Sequence, residues 1–306
     1  MTESNLATVT EVVMPWQDSR VKSNYRRRQI LDKVMKVLAL IAVVVVLFPL
    51  LDMLYLFAYK GLSVLSISIL TETTSGGGTG SSTGGIENAI VGSCLLIGLS
   101  SLIAVPLGVF SGVYLAEFTS LHNKFAEAIR FISDVLAGVP SIVLGYVGFL
   151  AFVLYLHWGY SAMASAVTLS ILMLPYIIRT TELSIRRVPD SIREGAIALG
   201  STKSSMINRL TLRFALPGII TGVMLAVSIS FSETAPLLYT ADFNNYLPTA
   251  LFHQPVGFLT YIVYVYSNLP YQSAHNLAYA ASFVLLSFVF VVNLFARVVL
   301  KRFSKI

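Results

Sequence analysis

Charge is what this sequence has least of. Asp, Glu, Lys and Arg make up 12% of its 306 residues, where a water-soluble domain carries about a quarter. A chain so poor in charge cannot cover a folded surface with groups that water solvates. A soluble globular enzyme is excluded, and lipid is the consistent solvent. One cysteine, Cys94, excludes a disulfide framework and leaves the redox compartment open. Set inside an apolar run, it reads as a small buried hydrophobe. The four histidines, His122, His157, His253 and His275, are scattered without ligand spacing, so no metal site is expected. No Gly-Lys pair occurs, which denies a phosphate-cradling P-loop to the glycine-rich stretch Thr71–Gly85. That stretch reads as a flexible linker. With neither a nucleophile–base pair nor metal ligands in view, an intramembrane enzyme has little to stand on.

What is present is apolar length. Runs at Val34–Tyr59, Ala89–Leu115, Ile129–Leu156, Ser161–Ile178, Phe214–Tyr239 and Ala274–Ala296 predict six spanning helices, since roughly 20 apolar residues cross about 30 Å of hydrocarbon. Twenty of the 21 Lys and Arg residues then fall on one side, leaving only Lys60 on the other. The positive-inside rule puts both termini in the cytoplasm, which an even number of spans requires. The net charge of +6 is therefore an orientation signal rather than a nucleic-acid footprint. The Arg26-Arg27-Arg28 run reads as an anchor at an anionic membrane surface. The first 30 residues are polar and the first apolar run is too long for a leader, so no cleavable signal is expected. The division that follows is a basic N-terminal arm, 1–33, and a first span with the external glycine-rich loop, 34–84. A main transmembrane domain, 85–300, and a short tail, 301–306, complete it.

Three features interrupt the apolar rhythm. Between spans four and five lies a basic cytoplasmic segment, 179–213, too long to be structureless. Pro189 and Asp190 open a helix there with Ile192, Ala196 and Leu199 on one face, and Gly200 ends it. A second short helix is expected at about Lys203–Leu210, and the pair reads as a docking element for a cytoplasmic partner. The external stretch Ala241–His275 holds Phe258, Tyr261, Tyr264 and Tyr266, which predicts an interfacial helix with tyrosines at headgroup level, or else an external contact surface. Gly108/Gly112 and Gly218/Gly222 fit close helix packing.

Ionisable residues within spans are costly and mark pathways or partners. Asp52 follows Pro49 near the external end of span one and could reach water. Asp134, six residues before Pro140, reads as a pathway group or as an interfacial cap. Glu233 is the sharpest candidate, because Pro236 just after it must disrupt the helix. Pro140 breaks span three, as a plain kink or as the start of a half-helix at Ser141 whose positive end meets an anion.

The cytoplasmic segment resembles the loop of bacterial ABC importer permeases. That loop reads Glu-Ala-Ala, three residues, Gly, nine residues, then Ile-x-Leu-Pro. Here Glu194-Gly195-Ala196 precedes Gly200, and Leu210-Thr211-Leu212-Arg213 follows after nine residues. Gly195, Leu210 and Arg213 depart from the pattern. The strings Ala104-Val105-Pro106-Leu107-Gly108, Tyr114-Leu115-Ala116-Glu117, Val139-Pro140-Ser141-Ile142-Val143, Ala215-Leu216-Pro217-Gly218-Ile219 and Glu233-Thr234-Ala235-Pro236-Leu237-Leu238 are similar to the A-type permease of the phosphate-specific importer. The resemblance runs from about Gly85 to the C-terminus. It implies an all-helical type I importer fold and one half of a pore for inorganic phosphate. Glu194, Ala196 and Gly200 would couple to the ATPase; Glu233, Thr234, Ser141 and Asp134 would line the substrate pathway, with helix breaks at Pro140 and Pro236. The implied partners are a second, similar permease, two ATP-binding cassette subunits, an external phosphate-binding protein and membrane lipid. The chain itself would catalyse nothing and hold no cofactor, since ATP and Mg would bind the ATPase subunits. Where phosphate permeases often carry Arg, four residues before the Glu, this chain has Ile229. That departure keeps another oxyanion or small solute open as substrate.

Overall fold

A computed structural model of the chain describes residues 19–74, 84–120 and 123–303. Most of the basic arm, residues 75–83 of the glycine-rich stretch, His122 and the last three residues lie outside them. All regular structure among the described residues is helical. Among the described residues five helices are long and apolar enough to cross a membrane, and a strongly bent pair brings the number to six when it is counted as one span.

The first helix, α1 (Ser19–Val64), runs unbroken through Pro49. The expected boundary between arm and span at 33/34 therefore falls inside a helix. Its apolar residues from Ile30 to Leu56 are exposed on every side, as a helix that is apolar all round must be when lipid is its solvent. Asp52 lies on this helix with its side chain exposed.

From Phe57 onward the chain forms a separate compact unit. Its elements are α2 (Ile67–Thr71), α3 (Glu87–Glu117), α4 (Lys124–Gly138), α5 (Ser141–Gly148, continued by π-type turns through Tyr155), α6 (Ala162–Arg186), α7 (Asp190–Ala198) and α8 (Lys203–Met206). They continue with α9 (Leu212–Ser232), α10 (Ala235–Thr240), α11 (Leu259–Tyr261) and α12 (Gln272–Phe303). The centre is α6, gripped by α3 on one side and α9 on the other. Gly108 and Gly112 of α3 lie against Ile177 and Thr181, and Gly218 and Gly222 of α9 lie against Ser184 and Thr180. Missing side chains let backbones approach closely, which substitutes for the hydrophobic drive that lipid cannot supply. Ala104, Met173, Ile177 and Ala226 fill the seam between the three helices.

Several expectations are corrected. Span four does not stop at Ile178; α6 continues to Arg186 and carries the first residues of the basic segment with it. The short helix expected at Lys203–Leu210 is not separate. α8 passes through a π-type turn, Ile207–Thr211, directly into α9, because no proline or glycine interrupts the run. Leu199 does not share the inward face with Ala196: it is 89% exposed, whereas Ala196 is buried. The aromatic residues of the external stretch form no headgroup belt. Phe258 and Tyr266 are buried, and Tyr261 stacks on Phe243 with ring centroids 4.2 Å apart. Leu259 donates its N–H to Ser93 Oγ at 2.9 Å. The segment around Phe258–Tyr266 folds back against α3 and α12 because apolar contacts are available there, and of Phe258, Tyr261, Tyr264 and Tyr266 only Tyr264 remains mostly exposed. Cys94 is likewise exposed rather than buried.

Candidate functional site

Two backbone breaks meet in this unit. Val139 is extended (φ −73°, ψ 131°), as the residue before a proline prefers. Pro140 then caps α5, and the chain turns by 105° between α4 and α5. This is a re-aimed helix rather than a kink. The second break follows α9, where Glu233 is extended (φ −73°, ψ 128°) and Pro236 sits in the first turn of α10, a position that needs no N–H. Span five is thus two helices, not one run to Tyr239. The halves are pressed together: a Cβ at Gly145 of α5 would approach the Pro236 Cα to 2.6 Å. Tyr146 and Tyr239 meet edge to face at 5.9 Å along the same seam.

Three of the predicted pathway residues converge on these breaks. Ser141, the first residue of α5, stands with its hydroxyl beside the Glu233 carboxylate. The Glu233 carbonyl accepts from Thr260 Oγ1 at 3.0 Å. Glu233 and Thr234 are half-buried. Asp134 stands apart on α4, beyond the bend, with an exposed side chain; Asn123 is the residue that caps α4. Ile229, one turn before Glu233, is half-buried and supplies no charge. Among the described residues no cluster of His, Cys, Asp and Glu has the make-up of a metal site.

The basic segment between α6 and α9 is the second part. Pro189 caps α7 and Asp190 opens it, as expected. Ala196 turns inward onto Met206 and Ile207, while Glu194 is exposed beside Ile197 and Leu199. Gly200 adopts φ +79°, the left-handed turn that terminates a helix. Its N–H donates to the Ile197 carbonyl at 2.9 Å. Gly195, where the family pattern has Ala, faces open space, so the departure changes no packing. An outward face of one carboxylate and two large apolar side chains suits a protein partner better than water.

Residues 104–305 match the family model described as binding-protein-dependent transport system inner membrane component. The chain belongs to that family. It is a multi-pass inner membrane component, similar over most of its length to curated permeases. The phosphate transport system permease protein PstA 2 of Mycobacterium bovis is 38% identical over 274 residues, 89% of either chain. The PstA protein of Yersinia pestis is 36% identical, covering 94% of this chain and 95% of its own. Among solved structures, an inward-facing MetNI methionine ABC transporter chain matches with TM-score 0.56 and 17% identity, over 70% of this chain and 95% of its own. A bacterial ABC transporter for import of the acidic polysaccharide alginate matches with TM-score 0.57 and 16% identity, over 92% of this chain and 99% of its own. The fold is that of the type I importer permeases.

What sequence reasoning missed in this inner membrane component is the set of acids that hold its basic end. Glu182 is 2% exposed and its Oε1 accepts from Arg130 Nε at 2.9 Å and Arg186 Nε at 3.0 Å. Arg179 stands 3.6 Å from the other oxygen. Glu117, 3% exposed, pairs with Arg193 at 2.6 Å. These arginines contributed to the topology count, but their partners went unremarked. A readable signal existed for Glu182, which has Arg at i−3 and i+4 on one helix face.

Proposed function

We propose that the chain is one half of the membrane pore of an ATP-driven importer of inorganic phosphate. Sequence similarity carries this reading: permeases of 36–38% identity over most of the chain are named for phosphate transport. It pairs with a second permease and works with two ATP-binding cassette subunits and an external binding protein. The basic end faces the cytoplasm, with both termini, and there α7 offers Glu194, Ile197 and Leu199 to an ATPase subunit. ATP-driven closure of the ATPases moves α7, and the spans rock about the paired breaks.

At the breaks Glu233 acts as a gate rather than as a ligand. A carboxylate repels phosphate, and the Ser141 hydroxyl beside it is a neutral neighbour that is easily exchanged. Thr234 and Ser141 supply neutral donors along the path, and Asp134 lies further toward the basic end. With Ile229 in span five, positive charge for the anion comes from the partner permease.

The test is ATP hydrolysis by the complex in liposomes with the binding protein present. Phosphate stimulates it, sulfate does not, and Glu194→Arg abolishes stimulation without loss of assembly. Stimulation by another ligand alone would keep the permease and remove phosphate. Glu233→Ala abolishes phosphate uptake while the complex still assembles; unchanged uptake would take Glu233 out of the mechanism.

A further inference from the structure

Three guanidinium groups from three elements converge on the C-terminal end of α3. Arg130 of α4 and Arg186 of α6 both donate Nη2 to the Leu115 carbonyl, at 3.3 and 2.9 Å. Through Nε both also hold Glu182, so α3, α4 and α6 are tied to one another. The third group is Arg193 of α7. Its Nη1 donates to Glu117 at 2.6 Å, and its Nη2 donates to the Ile185 carbonyl near the end of α6 at 2.9 Å.

Glu117 makes poor sense as a residue of α3 alone. A carboxylate in the last turn opposes the helix dipole, and one that is 3% exposed is costly unless a cation meets it. It makes sense as a receptor for Arg193. The chain joins α7 to α6 on one side and, through α8, to α9 on the other. α3 is no chain neighbour of α7, since α4, α5 and α6 lie between them in sequence. Ile192 and Ala196 do reach apolar clusters that Val113 of α3 also joins, but apolar contacts hold area and not register. A buried, forked ion pair fixes both.

We propose that Glu117 and Arg193 form a strut that carries the displacement of α7 into α3, so that the span that no short connection joins to α7 moves with α6 and α9, which short connections do join. Both are positioning residues, and the idea rests on the transport reading above. Glu194, Ile197 and Leu199 face the ATPase, while Arg193, one residue before Glu194, faces the bundle. One short helix thus receives motion on one face and delivers it from the other.

The experiment uses the full complex in liposomes with both permeases, the ATPases and the binding protein, reading phosphate uptake, ATP hydrolysis and assembly together. Glu117→Gln assembles and hydrolyses ATP, but uptake per ATP falls at least fivefold; Arg193→Gln lowers it likewise, whereas Arg193→Lys, which keeps the charge, retains most of it. The second arm places Glu117→Cys and Arg193→Cys in a Cys94→Ser background and joins the thiols with a short reducible cross-linker. Bridging restores uptake per ATP, and reductant removes it again in the same preparation, so misfolding cannot mimic the result. Unchanged uptake per ATP in Glu117→Gln, a fall that only tracks lost assembly, or a bridge without effect would each overturn the strut. A wild-type complex that phosphate fails to stimulate would sink the transport reading instead.

Discussion

The basic end and the paired breaks treat a carboxylate in opposite ways. At the basic end Glu182 is enclosed by Arg130, Arg179 and Arg186, and helix ends are satisfied by side chains from other elements. At the breaks Glu233 is half-buried, has Ser141 for company, and sits where two helices stop and two others start. One place is over-determined and the other is under-determined. Buried ion pairs with several donors resist displacement, since separating them strands a charge. An interrupted helix has few hydrogen bonds to break before it re-aims, and irregular backbone at membrane depth survives where it lines a cavity. Stiffness and compliance are therefore segregated along the bundle: the basic end keeps its internal arrangement, and the breaks are where the backbone can re-aim.

That contrast can be broken by substitution. The largest effect belongs to Glu182→Leu, which leaves three guanidinium groups facing one another. Removing one partner of a buried ion pair costs about 3–5 kcal/mol, so thermal unfolding in detergent shows a marked loss of stability and little complex assembles. A melting temperature equal to wild type would mean the basic end is not the rigid part. Gly145→Val is next. The added side chain meets Pro236, and overpacking costs about 1–3 kcal/mol. The complex assembles, but uptake is lost because α5 and α10 are forced apart; normal uptake would show that the seam is loose. Ser141→Ala is the mildest. Removing one hydroxyl beside a carboxylate changes stability by about 1 kcal/mol, while uptake falls severalfold as Glu233 loses its neighbour. A stability loss as large as that of Glu182→Leu would erase the distinction between the two regions.

The architecture was legible because lipid imposes a simple code: apolar length gives spans, basic residues cluster at one end, and proline marks interruption. Pro140 and Pro236 located both breaks. Neither residue could reveal that one break turns the chain by 105°, since a proline frees a hydrogen bond without saying where the chain goes next. The inward aromatics of the external stretch were misjudged because tyrosine suits a headgroup layer and a protein seam equally well, and Phe258 is chosen by its neighbours rather than by its type. Ser141 joined Glu233 only through tertiary contact, across 92 residues of sequence. Arg193 and Glu117 are separated by 76, so no local pattern connects them.

The run from Lys203 to Ser232 has a consequence of its own. Its 30 residues form a single rod, roughly 45 Å long at 1.5 Å per residue, with α7 just before one tip and Glu233 just past the other. Such a rod works as a lever whose arm length is set by residue count. A tilt of about 5° at its base carries the far tip through roughly 4 Å. Inserting or deleting a residue along it would change both the throw and the direction of the stroke, by about 100° of rotation per residue.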